Sequence, residues 1–139
     1  FGIGDESLIR DLNTVKYSIN PYNVNRMTQA AGVAAIEDDA YYRENAKQIM
    51  TIRAESAEQL RELGFTVLPS CANFLFAKSD WIGGQELYQS LKSRGVLVRH
   101  FSKPRIREFC RITIGTRQEM DILMTNIQAI LTEKGSNRI

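Results

Sequence analysis

Two arginines, Arg99 and Arg111, carry the clearest chemical signal in this sequence. Arg111 lies in the middle of the β-branched run FCRITIG, where successive side chains point to opposite faces of a strand, and Arg99 ends the apolar run VLVR. A guanidinium in a half-buried strand keeps its proton, so it needs an anion beside it. If the two strands lie near each other, both guanidinium groups can converge on one phosphate or carboxylate.

Each arginine also has a purely structural interpretation. Arg111 can form an ion pair with Glu108 or with an acidic residue of a helix, and Arg99 can be an ordinary surface charge. Leaving Arg111 buried and unpaired would cost about 3–5 kcal/mol. The residues alone therefore leave open whether the anion is a protein carboxylate or a ligand.

The charge of the chain is unevenly distributed. The 139 residues carry a net +2, yet the stretch from Lys92 to Arg117 holds eight Lys or Arg residues and one acid, a net +7 against −5 for the remainder. Such a local positive field attracts anions. A solvated surface loop rich in Lys and Arg gives the same pattern.

Several other classes of protein are not supported by the sequence. It has no nucleophile elbow, phosphate-binding loop or dinucleotide fingerprint, and one His with two distant Cys gives no metal-ligand spacing, so we predict no metal site. No apolar run approaches the roughly 18 residues of a membrane span, and no signal-peptide pattern occurs. We therefore expect a soluble, cytoplasmic chain with no membrane partner.

The hydrophobic periodicity predicts an α+β fold. The elements follow the order helix, helix, long helix, strand, strand, helix, strand, loop, strand, helix. A narrow apolar stripe from Ile49 to Leu63 predicts the long helix, and Gly64 is a residue type that commonly follows the last turn of a helix. After the last strand, Thr116 and Glu119 form a capping box. This order favours a small mixed sheet with helices on one face.

These segments resemble a known family. The runs that carry the resemblance are INPYNVN, LPSCANFLFAK, LKSRGVLVRHF and FCRITIGTRQE. In this order they are similar to the C-terminal part of the histidinol-phosphate aminotransferases, which belong to the fold-type I, pyridoxal-phosphate-dependent aminotransferases. The most specific part is GVLVR, followed twelve residues after its arginine by RITIGT. The resemblance covers essentially the whole chain.

The resemblance implies a domain organisation and an activity. Residues 1–21 would be the end of a large cofactor-binding domain and an interdomain segment. Residues 22–139 would be a small C-terminal domain that includes one long connecting helix. The whole enzyme would be a homodimer that transfers an amino group between histidinol phosphate and 2-oxoglutarate in histidine biosynthesis. Its cofactor would be pyridoxal phosphate, which stabilises a carbanion at the substrate α-carbon.

The resemblance also implies roles for individual residues. Arg111 would grip the anionic end of the substrate and Arg99 would help to hold it. The same pocket would accept the phosphate of histidinol phosphate and a carboxylate of glutamate in alternate half-reactions. Tyr22 would reach the site of a neighbouring subunit, or would simply pack. Asn73 is a further candidate for the site, or would simply bond nearby backbone.

The sequence departs from the family pattern in one respect. The Schiff-base lysine, the aspartate that pairs with the pyridine nitrogen and the aromatic residue that stacks on the cofactor ring have no counterparts here, and all would lie upstream of Phe1. We therefore expect a piece of a longer protein, with no catalytic residue of its own. By itself it should neither hold the cofactor nor transaminate.

Two competing interpretations remain open. Threonine-phosphate decarboxylase is a related enzyme that resembles this sequence over the same region and also needs arginines for a phosphate. A stand-alone α+β module that binds nucleic acid or another anion through the positive stretch belongs to a different class. The stretch lacks the interleaved exposed aromatics and the glycine loop of common RNA-binding modules, so we expect no nucleic-acid partner.

Overall fold

A computed structural model describes residues 2–136 of the chain. Its helices and strands follow the predicted order, and the chain divides into two compact units, Phe1–Arg43 and Glu44–Ile139. The elements are α1 (Glu6–Ile19), α2 (Arg26–Glu37), α3 (Asp39–Glu62), β1 (Phe65–Val67), β2 (Phe74–Ser79), α4 (Gly84–Ser93), β3 (Arg99–His100), β4 (Cys110–Thr113) and α5 (Arg117–Ser136).

The first unit contains α1, α2 and the start of α3. The carboxylate of Asp5 accepts a hydrogen bond from the backbone amide of Ser7 and caps α1, and the side chain of Asn25 accepts one from the amide of Thr28 and caps α2. Helix α1 ends just before Pro21, as expected because a residue that precedes proline avoids helical geometry. Neither α1 nor α2 contains a buried residue.

The second unit is built on a four-stranded sheet in the order β1-β2-β4-β3. The α+β class is confirmed, but the expectation of a mixed sheet is wrong, because every strand pairing is antiparallel. Strands β2 and β3 do run in the same direction, as expected for strands joined through a helix. They are not paired with each other, because β4 lies between them.

One face of the sheet is covered by helices. Leu75 and Ala77 of β2 and Cys110 and Ile112 of β4 point to this side, as strand geometry requires, and each is at most 2% exposed. They belong to one hydrophobic core with residues of the three helices of this unit. Its members include Leu75, Ala77, Cys110 and Ile112 of the sheet, Leu60 of α3, Leu87 and Leu91 of α4, and Leu123 and Ile127 of α5.

The long helix α3 buries the predicted stripe. Ser56 and Leu60 are fully buried, and the apolar residues at either end of the stripe pack partly against the core. Gly64 follows the helix with φ +82°, a left-handed conformation that favours glycine. A Cβ at this position would also lie only 2.6 Å from Nε1 of Trp81.

None of the helices within residues 2–136 has the length and apolar character needed to span a membrane.

Candidate anion-binding site

Arg99 and Arg111 are directly opposite each other on neighbouring strands. Strands β3 and β4 are antiparallel, and the Cα atoms of the two arginines are partners in the register. Directly opposed residues point to the same face, with Cβ atoms about 4.5–5.5 Å apart. This is the face of the sheet opposite the hydrophobic core. The two arginines are thus cross-strand neighbours, as the hypothesis of a shared anion requires.

Neither arginine has a carboxylate partner among residues 2–136. Glu108, the acid that offered a structural explanation for Arg111, forms its ion pair with Arg107 instead, at 3.1 Å. Like charges placed opposite each other on adjacent strands destabilise a sheet. The pair therefore carries a cost that no anion in the described part of the chain offsets.

The guanidinium of Arg111 is incompletely satisfied. Its Nε atom is buried and has no hydrogen-bond partner within the described residues. An unsatisfied buried donor costs about 1–3 kcal/mol, and arginine cannot lower this cost by losing its proton. The residue as a whole is only half-buried, so the terminal nitrogens of the same group remain accessible to a ligand.

Phenylalanine rings surround the two arginines. The guanidinium carbon of Arg111 lies 5.4 Å from the ring centroid of Phe74, and that of Arg99 lies 5.5 Å from the ring of Phe101. Phe76 is the cross-strand partner of Arg111 on its other side. The rings attract the two cations, and around the half-buried Arg111 they also reduce contact with water, which strengthens its attraction for an anion.

The rings also pack on one another. Phe76 stacks on Phe109, with centroids 4.7 Å apart and an angle of 13° between the planes, and meets Phe101 edge-on at 5.9 Å. The ammonium group of Lys78 lies 5.9 Å from the centroid of Phe109 and adds a third cation to this side of the sheet. We call this side, defined by Phe74, Phe76, Lys78, Arg99, Phe101, Phe109, Arg111 and Thr113, the arginine face.

Comparison with known proteins identifies the family. The model of the family described as aminotransferase class I and II matches residues 1–127. The chain belongs to this aminotransferase family. Two curated relatives named histidinol-phosphate aminotransferase confirm the predicted resemblance: one from Brachyspira hyodysenteriae is 41% identical over 131 residues, and one from Clostridium beijerinckii is 44% identical over 132 residues.

The aminotransferase chain is shorter than these relatives. The alignments cover 94% and 95% of this chain but only 37% of each relative. A solved histidinol-phosphate aminotransferase from Sinorhizobium meliloti, in complex with pyridoxal-5'-phosphate, has the same fold over 82% of this chain and 32% of its own. The TM-score is 0.73 and the sequence identity 24%. The predicted aminotransferase domain fold is therefore confirmed.

In this aminotransferase chain, a capping box fixes the end of β4 next to the arginine face. The backbone amide and hydroxyl of Thr116 donate to the carboxylate of Glu119 at 2.7 and 2.9 Å, and the amide of Glu119 donates to the Thr116 hydroxyl at 3.3 Å. These hydrogen bonds lower the pKa of Glu119. The predicted capping box is confirmed, and α5 starts four residues after the end of β4.

The two further candidate residues, Asn73 and Tyr22, lie apart from the arginine pair in the sequence. Asn73 directly precedes β2, and its backbone carbonyl accepts a hydrogen bond from the amide of Ile114 at 2.9 Å. Its side chain is exposed and makes no hydrogen bond to any described residue. Tyr22 lies in the turn between α1 and α2 of the first unit and is 91% exposed. Their roles at the site stay predictions.

Sequence reasoning missed part of the arginine face. Phe74 and Phe76 received no role, although they alternate with core residues in the run NFLFAK and could have been assigned to the face opposite the core by that period of two. No metal site was predicted, and no cluster of three or more His, Cys, Asp or Glu suited to a metal occurs within residues 2–136.

Proposed function

We propose that this chain is part of a pyridoxal-phosphate-dependent aminotransferase that transfers an amino group between histidinol phosphate and 2-oxoglutarate. In this proposal the whole enzyme is a homodimer of the cytoplasm that serves histidine biosynthesis. Residues 1–21 end the large domain and connect it to the small C-terminal domain of residues 22–139. The shared family and the names of the curated relatives support the proposal.

The role of this chain is to bind the anionic end of the substrate through Arg99 and Arg111. The observation that carries this role is the cross-strand arginine pair with no carboxylate partner in the described chain and with a buried, unsatisfied Nε. A bound anion offsets both the repulsion within the pair and the unsatisfied charge. Because a guanidinium fork matches phosphate and carboxylate alike, the same pair suits histidinol phosphate and glutamate.

The cofactor supplies the chemistry at the substrate α-carbon, where it acts as an electron sink when bound. The arginine face suits the substrate's anionic end, because it presents guanidinium groups among phenylalanine rings. Its contribution is orientation, because a substrate whose anionic end is held by two fixed guanidinium groups loses less translational and rotational entropy on reaching the transition state. The same rings exclude water around the bound anion.

The direct test is to replace Arg111 by Gln in the whole enzyme and to measure kcat/KM for histidinol phosphate. Losing a charge-assisted contact should lower kcat/KM by about 100-fold. Arg111→Lys keeps the charge but loses the paired N–H donors of the guanidinium group, so its kcat/KM should lie between those of the wild type and the Gln variant. The matched control is Arg117→Gln, which removes an equal charge from an exposed residue paired with Glu55.

The role of Arg111 is refuted if Arg111→Gln and the control have the same kcat/KM. The aminotransferase proposal itself is refuted if the whole enzyme releases CO₂ from a phosphorylated amino acid and transfers no amino group. A separate assay concerns the 139-residue chain alone, which we expect to show no turnover and no stoichiometric absorbance of pyridoxal phosphate at a single lysine.

A further inference from the structure

The connection between β3 and β4, residues 101–109, forms part of the arginine face. We call it the β3–β4 loop. Its first residue, Phe101, lies under the guanidinium of Arg99, and both Phe101 and its last residue, Phe109, pack on Phe76 of β2. Any displacement of this loop would move the rings that hold the arginines, so whatever fixes the loop also shapes the site.

His100 makes a side-chain contact that fixes the loop. Its Nε2 atom lies 2.7 Å from the backbone carbonyl oxygen of Arg107. A carbonyl oxygen can only accept, so Nε2 carries a proton and donates it. The imidazole ring also stacks on the ring of Tyr88 in α4, with the two centroids 6.2 Å apart and an angle of 26° between the planes. The imidazole thus joins the loop to a helix of the core.

His100 itself lies on the other side of the sheet from the site. It follows Arg99 directly in β3 and is the cross-strand partner of the buried Cys110. Successive strand residues point to opposite faces, so the imidazole points away from the arginine pair. It therefore has no route to contact the substrate anion, and any effect on binding must pass through the loop.

The second half of the loop is packed tightly against the start of α4. A Cβ on Gly84 would lie 2.7 Å from the carbonyl oxygen of Arg107 and 2.8 Å from that of Glu108. The thiol of Cys110 donates to the carbonyl of Gly84 at 3.3 Å. The backbone of the loop crosses the helix at this point, and His100 is the side chain that holds the Arg107 carbonyl there.

We propose that His100 is a positioning residue for substrate binding. By donating to the Arg107 carbonyl, it holds the β3–β4 loop in the conformation that keeps Phe101 under Arg99 and Phe109 on Phe76. The consequence for the substrate rests on the proposed function of the arginine pair, whereas the effect on the loop does not.

The experiment compares two substitutions in the whole holoenzyme. His100→Phe keeps a ring beside Tyr88 but removes the donor, and His100→Gln keeps an N–H donor at about the reach of Nε2. We expect His100→Phe to raise the KM for histidinol phosphate about 5-fold, the effect of one hydrogen bond, with kcat within about twofold of the wild type. His100→Gln should restore most of the KM.

Limited trypsin digestion reports on the loop without any substrate. Arg105 and Arg107 are exposed cleavage sites within it. His100→Phe should speed cleavage after these residues, as followed by mass spectrometry, and His100→Gln should return the rate towards that of the wild type. The control is Ser102→Ala, an exposed position of the same loop, which should change neither KM nor cleavage. If His100→Phe is insoluble, His100→Asn replaces it, because its shorter amide does not reach the Arg107 carbonyl.

Each outcome decides the inference. Equal KM and equal cleavage in the wild type and His100→Phe would overturn it. So would a His100→Gln enzyme as impaired as His100→Phe, because the donor would then be irrelevant. If Arg111→Gln raises KM and His100→Phe does not, only the role of His100 fails. If Arg111→Gln leaves KM unchanged while His100→Phe speeds cleavage, the loop contact stands and the proposed substrate grip fails.

Discussion

The two faces of the sheet are built from alternate residues of the same strands, yet they differ in almost every physical property. On the covered face, Leu75 and Ile112 are 2% exposed and contribute to one continuous hydrophobic core. On the arginine face, the adjacent residues of the same two strands, Phe76 and Arg111, are half-buried, and they contribute an aromatic ring and a positive charge. The covered face supplies stability, and the arginine face holds two arginines with no carboxylate partner among residues 2–136.

The cysteine of β4 illustrates how different the environments are. Burial on the covered face raises the pKa of the Cys110 thiol to about 11, because a thiolate is poorly solvated there. One residue further along the strand, Arg111 keeps a full positive charge with accessible terminal nitrogens. A shift of one residue along a strand therefore separates a position that excludes charge from one that carries it.

The largest expected effect is the loss of a core side chain from β4. Ile112→Ala leaves a cavity between sheet and helices and should lower the free energy of unfolding by about 2–5 kcal/mol. Denaturant unfolding followed by circular dichroism measures it. Ile122→Ala, the same substitution at a residue 49% exposed, is the control and should cost less than about 1 kcal/mol. Equal losses would contradict the assignment of the covered face.

The neighbouring substitution should have the opposite sign. Arg111→Met removes an unsatisfied buried donor and a like charge placed opposite Arg99, so the free energy of unfolding without substrate should rise by about 1 kcal/mol. Thermal unfolding in a buffer free of phosphate and carboxylate measures it. Arg117→Met breaks a surface ion pair and should give a change of zero to about 1 kcal/mol of destabilisation. A clear loss of stability in Arg111→Met would mean that a structural partner holds this arginine.

An effect of similar size but opposite sign is expected for the aromatic packing of the arginine face. Phe76→Leu loses the stack on Phe109 and the edge contact with Phe101, and should destabilise the protein by about 1 kcal/mol. Thr113→Val, at an exposed position of the same face, should change stability by less than about 0.5 kcal/mol. The two thermal midpoints, measured together, test whether the rings contribute stability as well as shape.

The smallest effect concerns the capping box and depends on pH. The pKa of Glu119 lies below its ordinary value of 4.5, so its contribution to stability is present above that pH and is lost as the pH falls through the lowered pKa. Glu119→Gln should therefore lower the thermal midpoint slightly at pH 7, and the difference from the wild type should shrink below pH 4.5. The matched control is Glu62→Gln, which removes an equal charge from an exposed carboxylate at the end of α3.

Local sequence signals predicted most of the elements correctly. The order of helices and strands, the stripe of α3 with Gly64 at its end and the pairing of Thr116 with Glu119 all depend on residues close together in the chain. The position of Arg111 on a strand face with Phe109 follows from the same short-range alternation. These predictions succeeded because each contact spans only a few residues.

The sequence by itself thus determined which residue types alternate along each strand and that Arg99 and Arg111 belong to strands. Only the tertiary structure decided that β4 lies between β2 and β3, which sets Arg99 opposite Arg111 on one side and Phe76 opposite it on the other. It also decided that the Arg107 carbonyl lies within reach of His100. Strand order and register depend on how distant helices bury the other face of the sheet, and no local pattern encodes that packing.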